Sequence, residues 1–115
     1  MATKLTTRNK LDIAILEPRG TLIGGKETDD LVSACRDLLE QGNKKAVIDL
    51  ENVTYINSSG IGVLVSIHSM YKRASGSVRL CNLSKNVENI FVITRLISVF
   101  EVDESQAASI KNLSQ

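Results

Sequence analysis

The sequence is poor in the residues from which metal centres, redox pairs and disulfide frameworks are built. It has one histidine, His68, and two cysteines, Cys35 and Cys81, far apart in sequence with no Cys-x-x-Cys pattern and no histidine beside them. That spacing argues against a zinc site or a dithiol pair, and both cysteines read as small core residues. Proline is nearly absent, Pro18 being the only one, and no repeat, linker or low-complexity tract divides the chain, so residues 1–115 read as one domain. Neither sign of charge dominates. Fourteen Lys and Arg stand against thirteen Asp and Glu, scattered along the chain, so no basic stripe exists to release counterions from a phosphate backbone and nucleic acid is a poor partner. Long apolar runs are missing too. The longest strongly apolar stretch, Ile61 to Ile67, falls far short of a bilayer span, and Met1-Ala2-Thr3-Lys4 lacks the apolar run of a signal peptide. The expectation is a cytoplasmic protein without membrane insertion, in which the four Asn-x-Ser/Thr sequons at Asn52, Asn57, Asn82 and Asn112 carry no glycosylation meaning.

What is present is an ordinary core. Apolar residues make up 43% of the chain and charged residues 23%, the balance of a soluble globular domain able to bury its core without disulfides or a structural metal. Leu5 to Arg8 reads as a short edge strand, Asn9-Lys10 as a hairpin turn, and Ile13 to Leu16 as a second strand ended by Pro18 and Gly20. From Thr28, the positions Leu31, Val32, Cys35, Leu38 and Leu39 follow the stripe of an amphipathic helix, with Thr28 or Asp29 as its cap and Gly42 to stop it. Ala46 to Leu50 reads as a buried strand. A second helix is expected from about Ser58 to Ala74, with Lys72-Arg73 in its last turn. Val78 to Cys81 is a further strand, Lys85 to Thr94 a short helix, Val99 to Val102 a last strand, and Ser105 the cap of a terminal helix through Leu113. This alternation predicts an α/β domain with a mostly parallel sheet.

The most informative stretch runs from Thr54 to Leu64, where the adjacent hydroxyls of Ser58 and Ser59 sit at the start of the second helix. A helix start leaves backbone N–H groups without intrahelical partners and carries a partial positive charge, so a phosphate is favourable there. Phosphorylation adds about 1.5 to 2 negative charges and three acceptor oxygens, enough to prevent docking of a closely packed or acidic surface. The alternative is an unmodified serine that merely caps the helix. The helix itself divides into Ile61, Leu64, Val65, His68 and Tyr71 on one face and Val63, Ile67 and Met70 on a roughly opposite one, of which one packs on the sheet and the other faces a neighbouring helix or a partner. Gly60 and Gly62 each weaken a helix by roughly 0.5 to 1 kcal/mol relative to Ala, which points to close approach of another backbone.

The segments Val47-Ile48-Asp49-Leu50, Val53-Thr54-Tyr55-Ile56 and Ser58-Ser59-Gly60-Ile61-Gly62-Val63-Leu64, with Gly20-x-Leu22 before the first helix and the Val78 to Cys81 strand, resemble the signature of the STAS domain, specifically of bacterial anti-sigma factor antagonists. The resemblance implies a mixed, mostly parallel β-sheet packed by about four helices, and a binding protein rather than an enzyme, with no cofactor. It implies phosphorylation of Ser58 by a kinase-type anti-sigma factor, binding of that factor by the unphosphorylated form, and reversal by a PP2C-type phosphatase, so that sigma-dependent transcription is regulated. The partner-binding surface it implies comprises Ile23, Gly24, Asn57, Ser58, Ser59, Gly60, Gly62 and Val63. The chain departs from the family pattern at Asn57, where Asp usually precedes the phosphorylated serine, and at Ile23-Gly24-Gly25, where many members carry an acidic residue. A STAS scaffold within a larger signalling or membrane-transport assembly is the second reading.

A third reading, a small nucleotide-binding enzyme, starts from Gly20-x-x-x-x-Gly25-Lys26, with Val47-Ile48-Asp49 as a candidate magnesium-binding strand. The following residue is Glu27, where such a loop needs a hydroxyl for Mg²⁺ and where a carboxylate repels phosphate. Gly60-x-Gly62 lacks the third glycine of a dinucleotide fingerprint. Ser58 has no base as a nucleophile: His68 lies ten residues on, about 15 Å along the same helix. His68 reads as a partly buried helix residue, and Met70 and Tyr71 as packing.

Overall fold

The computed structural model describes residues 4–10 and 12–114. Six strands and four helices follow one another as β1 (Lys4–Lys10), β2 (Ile13–Leu22), α1 (Lys26–Glu40), β3 (Lys45–Asp49), β4 (Val53–Ile56), α2 (Ser58–Arg73), β5 (Ser77–Cys81), α3 (Lys85–Ile93), β6 (Glu101–Asp103) and α4 (Gln106–Leu113), with one turn of 3₁₀-helix at Leu96–Ser98 before β6. The sheet order is β1-β2-β3-β5-β6, with β4 pairing the far end of β2. β1 runs antiparallel to β2 and every other pairing is parallel, which is the mixed, mostly parallel sheet that the alternating pattern predicts.

The apolar run Ile13 to Leu16 is buried on both sides because the sheet is covered on both faces. Ala14, Leu16, Ala46, Ile48, Val78 and Leu80 pack toward a large core with Leu31, Cys35, Leu64, Ile67, Tyr71, Val87 and Phe91 from α1, α2 and α3. Ile13, Ile15, Val47 and Cys81 pack the other way, under Ile110 and Leu113 of α4. The period-two alternation of β2, β3 and β5 thus feeds two cores.

Several expected boundaries differ in the structure. Asn9 and Lys10 belong to β1, paired with Ala14 and Ile13, and the chain reverses only afterwards, with Asp12 at φ 64. β2 does not end at Pro18 but continues to Leu22. Gly20 donates its N–H to the Asn52 carbonyl on the β4 side at 2.9 Å. Pro18, two residues earlier, turns its nitrogen to that same side, between the last position paired with β3, Leu16, and the first paired with β4, Gly20. No ladder N–H is required there, so proline is tolerated in a central strand. Finally, α1 starts at Lys26 with Gly25 as its cap, at φ 83, and not at Thr28 or Asp29. The Thr28 hydroxyl is instead turned inward, fully buried, accepting the Gly24 N–H at 2.9 Å.

Gly42, at φ 87, closes α1 by donating its N–H to the Leu39 carbonyl, and Ser84 and Ser105 cap α3 and α4 as expected of N-cap serines. The last strand begins later than expected, because Leu96–Ser98 coils before it. β4 has no counterpart in the sequence-based assignment, although Val53, Thr54, Tyr55 and Ile56 are all good strand formers.

The short α4 is held by polar contacts as well as by its two apolar residues. Asp103 accepts from Arg79 Nε at 2.6 Å and Nη2 at 3.0 Å, from Ser109 Oγ at 2.6 Å and from Asn112 Nδ2 at 2.9 Å. The Arg79 hydrogen bond, followed by those of Ser109 and Asn112, holds the Asp103 carboxyl below its ordinary value despite its burial. A lowered folded pKa stabilises above the unfolded value of about 3.9 and is lost as pH falls through the folded one. Asp103→Asn should therefore destabilise the fold by about 2 kcal/mol at pH 7. In urea titrations the gap from wild type should narrow below about pH 4; a gap independent of pH would contradict the assignment.

Candidate functional site

β2 and β4 are parallel neighbours, in register at Thr21 with Tyr55 and Leu22 with Ile56, so the segments that follow them leave the same edge of the sheet side by side. One is the loop Ile23-Gly24-Gly25 into α1. The other is Asn57 and the start of α2. Crevices at the carboxyl ends of parallel strands are where α/β domains present their binding groups.

Asn57 joins the two. Its backbone is extended, and its Oδ1 accepts the Gly60 N–H at 3.0 Å, which caps α2. Its Nδ2 donates to the Ile23 carbonyl at 3.0 Å, and its own N–H donates to the Leu22 carbonyl at 3.2 Å. Its carbonyl accepts the Ile61 N–H at 2.9 Å. Ser58 and Ser59 follow as the first two residues of the helix, both exposed, and no acidic residue occupies the first turn. Their amides precede any intrahelical acceptor. The Ser58 hydroxyl therefore sits in solvent at the positive end of a 16-residue helix.

The two glycines of the motif have different reasons. A Cβ on Gly60 would lie 2.0 Å from the Leu22 carbonyl oxygen, so α2 rests directly against the end of β2. A Cβ on Gly62 would meet nothing within 4 Å. The close approach predicted for both is intramolecular at Gly60, whereas Gly62 stands exposed beyond Ser58. On the loop side, Gly24 has φ 98, and a Cβ there would stand 3.2 Å from the Ser59 Cβ, so the loop lies against the start of α2.

The buried stripe of α2 is Gly60, Leu64, Ile67 and Tyr71, which places Ile67 with Leu64 and not opposite it. Val63 and Met70 are half-buried against the main core, and Met70 shares a groove with Arg36, Leu39 and Glu40 of α1. At Met70, α1 thus flanks this second face. His68 is half-buried, its ring edge-on to Phe100 with centroids 5.5 Å apart. Both cysteine thiols are pushed up to about 12, chiefly by burial, and lie in the two separate cores. They are inert packing groups. Gly20 lies inside β2 and Lys26 pairs with Asp30 at 3.1 Å, so Gly20 to Lys26 does not form one phosphate-cradling loop.

The sequence-predicted residues Ile23, Gly24, Asn57, Ser58, Ser59 and Gly60 are brought together at this edge, with Gly62 and Val63 one turn along α2. Tyr55 is exposed on the same strand pair and is not among the site residues that the sequence singles out. It is 48% exposed, as is Ile23, and the register sets it opposite Thr21, two residues before Ile23. Its exposure follows from its place in the four-residue strand β4, which the sequence-based assignment lacks.

Comparison with known proteins places the chain, not this edge alone, among proteins of one family. The sequence model of the STAS domain matches residues 4–109. BtrV of Bordetella bronchiseptica, which bears the name of an anti-sigma factor antagonist, is 24% identical over 103 residues, 90% of this chain and 89% of its own. The anti-sigma-B factor antagonist of Bacillus subtilis is 32% identical over 74 residues, covering 64% and 67% of the two chains. Among solved structures, the Bacillus anti-sigma factor antagonist SpoIIAA superposes in its unphosphorylated and phosphorylated forms with TM-scores of 0.73 and 0.72. Both are 16% identical, covering 98% and 96% of this chain and 98% of each SpoIIAA chain, a likeness of fold.

The glycine contacts make opposite predictions for one substitution. Gly60→Ala should destabilise by about 3 kcal/mol, because backbone must move. Gly62→Ala should stabilise by about 0.5 to 1 kcal/mol, because only helix propensity changes. Denaturant unfolding of both variants checks this; a destabilising Gly62→Ala would be contrary to it.

Proposed function

Because the chain belongs to the STAS domain family, we propose that it is an anti-sigma factor antagonist whose docking surface is switched by phosphorylation of Ser58. The unphosphorylated protein binds a kinase-type anti-sigma factor through the edge formed by Ile23, Gly24, Asn57, Ser58, Ser59, Gly60, Gly62 and Val63, so that the sigma factor is released. Phosphorylation of Ser58 by that kinase ends the complex, and a PP2C-type phosphatase restores it. The protein acts by binding in the cytoplasm and catalyses no reaction of its own. No helix among the described residues is long and apolar enough to cross a membrane.

The observation that carries this reading is the position of Ser58: exposed, at the first residue of α2, directly after a residue that already caps the helix. Exposure lets a kinase reach the hydroxyl. Because Asn57 supplies the cap, Ser58 is not consumed by holding the helix start together. A phosphate there meets unpartnered N–H groups and the positive end of the helix dipole, so the added charge is compatible with the fold while it repels a partner surface. The half-exposed Ile23 and Tyr55 beside it supply apolar area for docking.

Incubation with ATP and the kinase-type anti-sigma factor of the same genome should place one phosphate on Ser58, read by mass spectrometry. Ser58→Ala should bind that factor constitutively. Ser58→Glu should bind at least tenfold more weakly with an unchanged circular dichroism spectrum. Tight binding by Ser58→Glu would contradict the electrostatic switch, and absence of phosphate on wild type would favour a scaffold.

A further inference from the structure

We infer that Asn57 is a positioning residue of the docking surface: its side-chain amide clips the Ile23-Gly24-Gly25 loop to the start of α2, so that the loop and Ser58 are presented as one surface. The inference rests on the functional reading above for its partner, and on geometry alone for the clip.

The amide uses both of its ends. Oδ1 takes the Gly60 N–H at 3.0 Å and Nδ2 gives a hydrogen to the Ile23 carbonyl at 3.0 Å, 34 residues away in sequence. Only one amide orientation satisfies both, because N–H donates and C=O accepts. The loop has little else to hold it. Gly24 and Gly25 stand at φ 98 and φ 83, and Ile23 is half-exposed. Its other recorded ties both run into α1, the Gly24 N–H to the buried Thr28 hydroxyl at 2.9 Å and the Asp29 N–H to the Gly25 carbonyl at 3.0 Å. The loop is thus anchored to α1 through Thr28 and to α2 through Asn57.

A carboxylate at position 57 would be equal to the amide as a cap and opposite to it as a clip. An ionised Asp accepts only, so it would keep the Gly60 N–H while setting an oxygen against the Ile23 carbonyl oxygen. Asn at this position therefore fits a pre-ordered loop, and Asp fits a loop released to move. Ile23 would be an ordered apolar anchor in the first case and a mobile one in the second.

The test is Asn57→Asp, with two backbone amides as separate reporters in the free protein. Gly60 N–H reports the cap and Gly24 N–H reports the loop. At pH 7 the hydrogen-exchange protection factor of Gly24 should fall about tenfold in Asn57→Asp while that of Gly60 is maintained. Below about pH 4 the protonated Asp regains an O–H donor beside its acceptor, so the Gly24 protection factor should recover toward wild type. Asn57→Ala should lose protection at both amides at every pH. Unchanged Gly24 protection in Asn57→Asp, or a loss with no recovery in acid, overturns the clip.

Binding separates the two levels. Wild type should bind the kinase-type anti-sigma factor about tenfold more tightly than Asn57→Asp, the loss appearing as slower association. Equal affinity in the presence of a released loop would overturn the role in docking. Wild type that does not bind at all would overturn the functional reading, whereas the exchange measurements decide the clip independently of it.

Discussion

The close approach of α2 to the end of β2 governs the rest of this edge. The Leu22 carbonyl lies where a side chain on residue 60 would begin, 2.0 Å from an ideal Cβ. That contact fixes the height of the helix start above the sheet. It brings Asn57 within hydrogen-bond reach of both Leu22 and Ile23, and so sets the Ile23-Gly24-Gly25 loop beside Ser59. A larger residue at position 60 would lift the helix and part the two segments. The serine that follows Asn57 stands in solvent because the helix is held from beneath by backbone, leaving its first turn uncovered.

The division of labour between Asn57 and Ser58 gives that geometry a chemical use. A serine that caps its own helix would exchange a structural hydrogen bond for a phosphate when modified. Here the cap is one residue earlier, and the Ser58 hydroxyl projects from the first helical position. Local electrostatics favour an anion at that point, since the first turn contains no carboxylate and the dipole is unopposed. The large core beneath runs from Leu64, Ile67 and Tyr71 to Phe91, away from the exposed Ser58. Close packing below and an exposed hydroxyl above suit the proposed switch, which requires a fold that tolerates added charge at this point.

The helices and the two central strands were legible because each buries a face with its own period: three to four in Leu31, Cys35 and Leu38, continuous apolar character in Ile13 to Leu16 and in Ala46 to Ile48. Ser58 was legible through its place before Gly60-Ile61-Gly62, and its exposure is compatible with the proposed role. β2 was cut short because Pro18 and Gly20 ordinarily end strands, and only the change of partner from β3 to β4 makes them acceptable. The start of α1 was misplaced because Thr28 is a good cap by type but is spent on Gly24 inside the core. Gly60 and Gly62 look alike in sequence and differ entirely in surroundings. The second hydrogen bond of Asn57 was invisible for the same reason, since its acceptor is brought close only by the parallel pairing of β2 and β4.

The central claim is that the start of α2 accepts a charge on Ser58 without disturbing what lies below. Its most direct measurement is the second ionisation of phosphoserine 58 followed by phosphorus NMR, against a phosphoserine peptide that titrates near about pH 6. A folded protein whose phosphate titrates clearly below the peptide, with amide shifts confined to residues 23–25 and 57–62, is the predicted result. A phosphate that titrates at or above the peptide value, or a spectrum that has lost its folded dispersion, would contradict the account.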